Sequence, residues 1–220
     1  SALMTGRFAI RSGTYAVPLG GQADGLTIWE VTIAELLSRQ GYATGIWGKW
    51  HLGSAESRFP TNQGFDEWFG IPRTYDEALW TAQNESKSLW PAVGNVQGWN
   101  PKANPPQPIY EARKGEKPKV LRTLDLEQRR LMEAEITRRS IDFMTRQVKA
   151  GKPFFAYLSF SLVHFPVIPN PEFAGKTGNG DWPDSLAELD HRVGQVLDAL
   201  TGHQPAPGVQ AAVARALLRR

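Results

Sequence analysis

The chain has 220 residues, which is enough to bury a sizeable hydrophobic core. Its 41% hydrophobic and 21% charged residues are typical of a globular protein, and its net charge of +3 is too small and too dispersed to indicate binding to nucleic acid. No cysteine is present, which excludes disulfides, thiolate metal sites and thiol nucleophiles, and no apolar run approaches the roughly 18 residues of a membrane-spanning helix.

The first predicted unit is a helix followed by a strand. Thr27 and Glu30 have the spacing of a capping box, and Gly41 is well placed to end the helix. The residues expected on its buried face are Ile28, Val31, Leu36 and Leu37. The run YATGIW then predicts a strand that ends at Gly48. The order helix, turn, strand indicates an α/β fold.

The second unit repeats this order. Apolar residues at helical spacing predict a helix over about 126–150, which Gly151 and Pro153 end. The run PFFAYLSFS that follows is continuously apolar, which is typical of a parallel strand covered on both faces. It leads into a proline-rich loop that carries His164.

The remaining chain divides into a helix, a long excursion and a tail. A third helix is predicted over about 183–200, with Leu186, Leu189, Val193, Val196, Leu197 and Leu200 on its buried side. Residues 73–122 are rich in proline, asparagine, lysine and glycine and are predicted to be an irregular excursion, in which Trp80, Trp90 and Trp99 are assigned to loop packing. Residues 201–220 depart from the preceding pattern and are given no function.

Both predicted strands end in a loop that carries a histidine. Lys49 and His51 follow the first strand, and His164 follows the second. Ligands of open parallel sheets bind outside the carboxyl ends of the strands, so we expect these three side chains to converge on one pocket. Lys49 and His51 are two residues apart and would point to the same side of an extended backbone. A lysine that neutralises charge and a histidine that exchanges protons suit an oxyanion substrate such as a sulfate or phosphate ester.

Each of these residues also has a purely structural interpretation. Lys49 and His51 could belong to a solvated turn around a packed tryptophan, and His164 could be a hydrogen-bonded structural histidine. His191 lies inside the third predicted helix, where its position indicates a surface residue. His203 belongs to the tail and is assigned no role.

Several segments together resemble the sulfatase family. GYATGIWGKWHLG (residues 41–53) resembles the second sulfatase signature, G-Y-x-[ST]-x-x-[IVAS]-G-K-x-H, and the opening SALMTGR is similar to the end of the first signature. Residues 59–70 resemble the segment that follows the lysine–histidine motif in arylsulfatases, and PFFAYLSFSLVHFP resembles the strand and loop of a catalytic histidine. The similarity runs in order from Ser1 to about Leu200, which is far more specific than any single motif.

The resemblance implies an α/β, alkaline-phosphatase-like fold with a mostly parallel central sheet flanked by helices, of which residues 1–200 would form a partial catalytic domain. It implies a sulfuric ester hydrolase that uses a formylglycine nucleophile, made by a formylglycine-generating enzyme, and a calcium ion. The expected substrate is an aryl sulfate or a sugar sulfate ester. Export to the periplasm, lysosome or exterior is also expected from the resemblance.

The same resemblance gives roles to the three basic residues. Lys49 matches the lysine that contacts the sulfate and the formylglycine. His51 matches the histidine that pairs with the formylglycine hydroxyl and helps to expel sulfate from the covalent intermediate. His164 matches the histidine that contacts the sulfate ester and aids protonation of the leaving group.

The match also predicts what the chain lacks. The nucleophile would precede Ser1, and the aspartates and asparagine that hold calcium have no match in the chain, so no metal ligand is assigned. Residues 1–220 are therefore expected to be inactive alone. Two alternatives remain, a phosphonate or phosphate ester hydrolase of the same superfamily and a degenerate, non-catalytic protein that binds anions or glycans.

Overall fold

A computed structural model of the chain describes residues 1–16, 25–75 and 107–202. Its strands are β1 (Ala43–Lys49), β2 (Glu67–Ile71), β3 (Pro108–Arg113), β4 (Lys119–Thr123) and β5 (Phe154–Ser159). Its α-helices are α1 (Ala2–Thr5), α2 (Ile33–Arg39), α3 (Leu126–Lys149) and α4 (Asp181–Gly202), and two short 3-10 turns occupy Glu56–Arg58 and Pro60–Asn62.

The five strands form one mixed sheet in the order β4-β3-β2-β1-β5. β1 runs parallel to both β2 and β5, whereas β3 and β4 form an antiparallel hairpin beside β2. The predicted α/β class is therefore confirmed. Because β2, β1 and β5 are parallel neighbours, their carboxyl ends lie together at one edge of the sheet.

Successive residues of the central strands serve two different cores, as the two-residue repeat of a strand requires. Ile46 and Trp68 pack in a cluster with residues of α1 and α2 on one face. Trp47 and Phe69 pack against α3 on the other face, where the Trp47 ring lies 4.9 Å from that of Phe143. The sheet is thus covered on both sides near its centre, and the parallel strand ends stay available at its edge.

The helix and the parallel strand of the predicted second unit are confirmed, but the predicted cover of the strand on both faces is not. The Asp125 carboxylate caps α3 by accepting a hydrogen bond from the N–H of Gln128 at 2.7 Å. Gly151 follows the helix with a φ of 63°, a left-handed conformation that glycine adopts without steric cost. Residues of β5 are half-buried and not fully covered, because β5 is the edge of the described sheet.

The predicted start of the first helix is wrong. Thr32 and Glu35 form the capping box, with Thr32 Oγ1 accepting from the Glu35 N–H and the Glu35 carboxylate accepting from the Thr32 N–H. Thr27 and Glu30 have the same spacing but form a turn, in which the Glu30 carboxylate pairs with Arg7 at 2.9 Å. Ile28 and Val31, which precede the true helix, are exposed.

The predicted excursion over 73–122 is corrected at its C-terminal end. Residues 108–123 form the β3–β4 hairpin, which turns around Gly115. Ile109 and Ala112 face the cores and are buried, so the segment has the apolar anchors that a strand needs. Trp80, Trp90 and Trp99 lie outside the described residues, as does 203–220 of the tail.

The predicted buried face of the third helix is mostly wrong: of its six residues only Leu189 and Val196 are partly buried, and Val196 packs against the core. α4 covers the expected range, but its buried residues are polar: Asp184, Ser185, Glu188 and Arg192. Leu186, Val193 and Leu197 are exposed. The polar face is buried because its side chains accept hydrogen bonds from the loop that precedes the helix. The Asn170 N–H, for example, donates to the Glu188 carboxylate at 2.7 Å. His191 is exposed, as predicted.

Candidate active site

The segment that carries Lys49 and His51 is held against the end of β2. Lys49 is the last residue of β1 and pairs with Ile71 in the ladder. The N–H groups of Trp50 and His51 then donate to the carbonyls of Ile71 and Pro72, each at 3.0 Å. Trp50 is 5% exposed, so it anchors the turn in the core between the two basic residues.

His51 does not continue the extended backbone of β1. Its φ of 53° is left-handed, and among the described residues it is the only non-glycine with a positive φ. The expectation that Lys49 and His51 point to one side of an extended backbone therefore does not apply. A left-handed residue with a Cβ costs about 1–2 kcal/mol, and strain of this kind gathers at functional sites.

Thr74 connects Lys49 to His164. It lies three residues beyond the end of β2 and is 7% exposed. Lys49 Nζ lies 3.5 Å from Thr74 Oγ1, and the same oxygen lies 3.3 Å from His164 Nε2. A cation, a hydroxyl and an imidazole thus form a continuous polar chain at the carboxyl ends of the parallel strands.

The hydrogen bonds of the His164 ring fix the roles of its nitrogens. Nδ1 lies 2.9 Å from the carbonyl oxygen of Phe165, and a carbonyl can only accept, so Nδ1 carries a hydrogen. In the neutral ring Nε2 is then the acceptor and receives the Thr74 hydroxyl. When the ring is protonated, Nε2 becomes a donor at the edge of the sheet where Lys49 also ends.

The structure therefore brings together Lys49 and His164 and places His51 two residues beyond β1 at the same edge. Thr74 was missed by the sequence reasoning. The signal that could have found it is the short buried run WFGI of β2, which would have marked residues 72–74 as following the end of a third parallel strand.

A desolvated layer lies behind this chain. Tyr75 is fully buried, and burial raises the pKa of its phenol, an effect that the nearby Glu133 carboxylate increases and Arg129 opposes. Burial likewise raises the pKa of Glu133, while Arg129 and the Ser161 hydrogen bonds act in the opposite direction. The guanidinium carbon of Arg129 lies 4.3 Å from the centre of the Tyr75 ring.

The donor set at this edge does not fit calcium. Calcium takes six to eight oxygen ligands, mostly carboxylates and carbonyls, whereas Lys49 supplies an ammonium and His164 an imidazole. Across residues 1–16, 25–75 and 107–202, no group of three or more histidine, aspartate or glutamate side chains could hold a metal ion.

Comparison with known proteins identifies the family. The sulfatase family model matches residues 1–206. Arylsulfatase A from Bos taurus is 36% identical over 204 residues, and N-acetylgalactosamine-6-sulfatase from Canis lupus familiaris is 32% identical over 210 residues. Each match covers 91% of this chain.

The fold agrees with these relatives. The crystal structure of PsFucS1 sulfatase from Pseudoalteromonas sp. superimposes with a TM-score of 0.78 at 28% identity, over 92% of this chain and 41% of that one. The chain spans 38% of the length of the bovine arylsulfatase A and 36% of the canine enzyme. The chain therefore belongs to the sulfatase family, and its sheet is part of that family's alkaline-phosphatase-like fold.

Proposed function

We propose that the complete protein is a sulfuric ester hydrolase and that the Lys49–Thr74–His164 edge binds and protonates its substrate. The observation that carries the proposal is the polar chain from Lys49 Nζ through Thr74 Oγ1 to His164 Nε2. It puts a fixed positive charge and a titratable ring at the strand ends, where open α/β sheets bind ligands.

In this proposal each side chain has one task. The Lys49 ammonium neutralises the negative charge of the sulfate group. Further negative charge develops on the bridging oxygen as the ester bond breaks. His164 in its protonated form donates the Nε2 proton to the leaving oxygen, which turns an alkoxide into an alcohol. His51 helps to expel sulfate from the covalent intermediate, a role that comes from the resemblance alone.

In this proposal, residues of the complete protein outside 1–220 would supply the nucleophile and bind the calcium ion. When bound, calcium would supply further positive charge to the sulfate oxygens. We expect residues 1–220 alone to be inactive, and we include modification by a formylglycine-generating enzyme in the proposal. The relatives named for aryl sulfate and for a 6-sulfated sugar support an aryl or sugar sulfate ester as substrate.

Export from the cytoplasm is also part of the proposal and rests on the family resemblance. Within the described ranges, no helix is both long and apolar enough to cross a membrane.

The test compares 4-nitrophenyl sulfate with 4-nitrophenyl phosphate as substrates of the complete protein. We expect hydrolysis of the sulfate ester to dominate. A clear preference for the phosphate would favour the phosphate ester hydrolase instead. Sulfate binding without turnover of either ester would favour a non-catalytic anion-binding protein.

Lys49→Ala and His164→Ala should each lower turnover by roughly a hundredfold or more, since each removes charge stabilisation or proton donation. The matched controls are Lys119→Ala and His191→Ala, which remove exposed residues of the same types. Circular dichroism should show that all four variants stay folded. Near-normal turnover in either site variant would refute the role given to that residue.

A further inference from the structure

Two charged side chains of α3 lie directly behind the loop that carries His164. Arg129 and Glu133 are one helical turn apart, and both side chains are 0% exposed. Arg129 Nη1 lies 3.5 Å from Glu133 Oε1. Neither residue takes part in the proposed contact with sulfate, and nothing in the sequence motifs singled them out.

The pair binds the backbone of the loop at both of its ends. Arg129 Nη2 donates to the Ser161 carbonyl at 2.9 Å and lies 3.4 Å from the His164 carbonyl. Glu133 Oε1 accepts from the Ser161 N–H at 3.1 Å and from the Ser161 hydroxyl at 3.2 Å. The position of residues 161–164 is therefore set by side chains of α3.

The same arginine contacts the segment on the other side of the polar chain. Its guanidinium stacks on the Tyr75 ring, with 4.3 Å between the guanidinium carbon and the ring centre. Tyr75 is the neighbour of Thr74 in sequence and is fully buried. Arg129 thus contacts both of the segments that the Thr74–His164 hydrogen bond joins.

Stability alone does not account for this arrangement. Replacing a buried ion pair with apolar side chains of similar volume is often neutral or stabilising, because desolvation of the two charges offsets their attraction. What a guanidinium offers here is geometry, since its terminal nitrogen Nη2 reaches two carbonyls while its planar face stacks on a ring.

We propose that Arg129, held by Glu133, is a positioning residue that fixes the separation of His164 Nε2 from Thr74 Oγ1. The proposal rests on the function proposed for His164 and goes beyond it, because it places the control of that histidine on α3. It predicts that loss of Arg129 impairs proton donation to the leaving group more than it impairs folding.

The kinetic test uses Arg129→Gln in the complete protein with two substrates, phenyl sulfate and 4-nitrophenyl sulfate. The phenolate leaving group needs a proton more than the nitrophenolate does. We expect kcat/KM to fall roughly tenfold or more for phenyl sulfate and clearly less for 4-nitrophenyl sulfate, since displacement by about 1 Å can cost about a hundredfold in rate. A lower folded fraction would reduce both values equally, and an equal loss would overturn the proposal.

Arg139→Gln is the matched control. Arg139 is on the same helix, pairs with Glu135 at 2.9 Å and stacks on Phe69 at the same 4.3 Å. Ten residues separate the two arginines, which is about 15 Å along the helix, so Arg139 is remote from residues 161–164. Its loss should lower stability without changing the ratio of the two substrates.

A crystal structure of each variant decides the proposal independently of activity. In Arg129→Gln the distance between Thr74 Oγ1 and His164 Nε2 should exceed about 3.5 Å, the limit of a hydrogen bond. In Arg139→Gln the two atoms should remain hydrogen-bonded. If Arg129→Gln does not fold, Arg129→Lys keeps the charge beside Glu133 but lacks the planar group that stacks on Tyr75, and the same displacement is expected. An unchanged separation in the folded variant overturns the proposal. Absence of sulfatase activity in the complete protein without substitutions would refute the proposed function. The comparison of the two variant structures would then still decide the proposal on Arg129.

Discussion

Thr74 gives the site a neutral link between two basic groups. A hydroxyl can accept one hydrogen bond while it donates another, so Thr74 can accept a hydrogen bond from Lys49 and donate one to His164. The distances of 3.5 Å and 3.3 Å allow both bonds at once. The orientation of the ammonium and that of the imidazole are therefore coupled through one side chain.

Replacement of Thr74 tests this coupling. Thr74→Val keeps the shape of the side chain but removes the hydroxyl, so Lys49 and His164 each lose a buried partner. Hydrogen bonds to charged groups contribute about 1.5–3 kcal/mol, and we expect kcat/KM for a sulfate ester to fall roughly tenfold to a hundredfold in the complete protein. Thr74→Ser should stay near the unmodified value. Equal activity of the valine and serine variants would show that the hydroxyl is not needed.

Residues at strand ends could be predicted only where the strand itself was recognised. Lys49 follows a short apolar and β-branched run and His164 follows a continuously apolar one, and the rule for parallel strand ends places them together. Thr74 follows β2, whose short run was not recognised as a strand. Arg129 could not be predicted, because helical spacing does not reveal a charge that is buried by a loop from another part of the chain.

Among the elements, β1 and β5 approach each other closely at the site. Gly48 pairs with Ser159 and has a φ of 110°, which favours glycine. A Cβ at this position would overlap the Ser159 carbonyl oxygen. The absence of a side chain lets the end of β5, and hence the loop of His164, pass beside Lys49.

Gly48→Ala should therefore destabilise the protein by more than about 3 kcal/mol, because the two strands must separate. Gly115→Ala is the control, since Gly115 also has a positive φ but a Cβ there would meet nothing within 4 Å. It should cost only the backbone penalty of about 1–2 kcal/mol. The free energies of unfolding in urea measure both, and equal losses would contradict the close approach of the strands.

The start of α4 depends on one carboxylate. Asp184 accepts hydrogen bonds from the hydroxyl and N–H of Thr177 and from the Gly175 N–H. These bonds hold the pKa of Asp184 below its ordinary value, and the bond from the Thr177 hydroxyl has the largest effect. A lowered pKa in the folded state means that the group stabilises the fold above its unfolded pKa and that this contribution is lost as the pH falls through the folded pKa.

Asp184→Asn should consequently lower the free energy of unfolding at neutral pH. The difference from the unmodified protein should shrink at a pH below the ordinary aspartate pKa of about 3.9, where the unmodified protein loses its own contribution. Asp198→Asn, an exposed change on the same helix, should have little effect at either pH. A difference that stays constant with pH would show that the carboxylate charge is not what holds the loop.

Element boundaries show the same division between local and tertiary control. The range of α3 could be predicted because its cap, its spacing and its terminal glycine agree. The start of α2 could not, because two Thr-x-x-Glu sequences lie five residues apart and only packing decides between them. The orientation of α4 could not either, since its buried side is set by the Asn170 and Thr177 loop and not by its own leucines.

At the scale of the molecule, the α/β class followed from the alternation of helices and strands, whereas the mixed character of the sheet did not. The β3–β4 hairpin lies in a region whose composition resembled a loop, and its strands are fixed by pairing with β2. The position of the site also depends on the assembled sheet. It occupies the edge where three parallel strands finish, which is a property of the whole sheet and of no single segment.

The distances in sequence between the site residues have a consequence for folding. Thr74 lies 25 residues from Lys49 and 90 from His164, so no local segment of the unfolded chain can bring the three together. An oxyanion that needs all three binds the native state only, and each tenfold rise in its concentration above its dissociation constant adds about 1.4 kcal/mol to the free energy of unfolding. Occupancy of the site is therefore a thermodynamic measure of how completely β1, β2 and β5 have assembled.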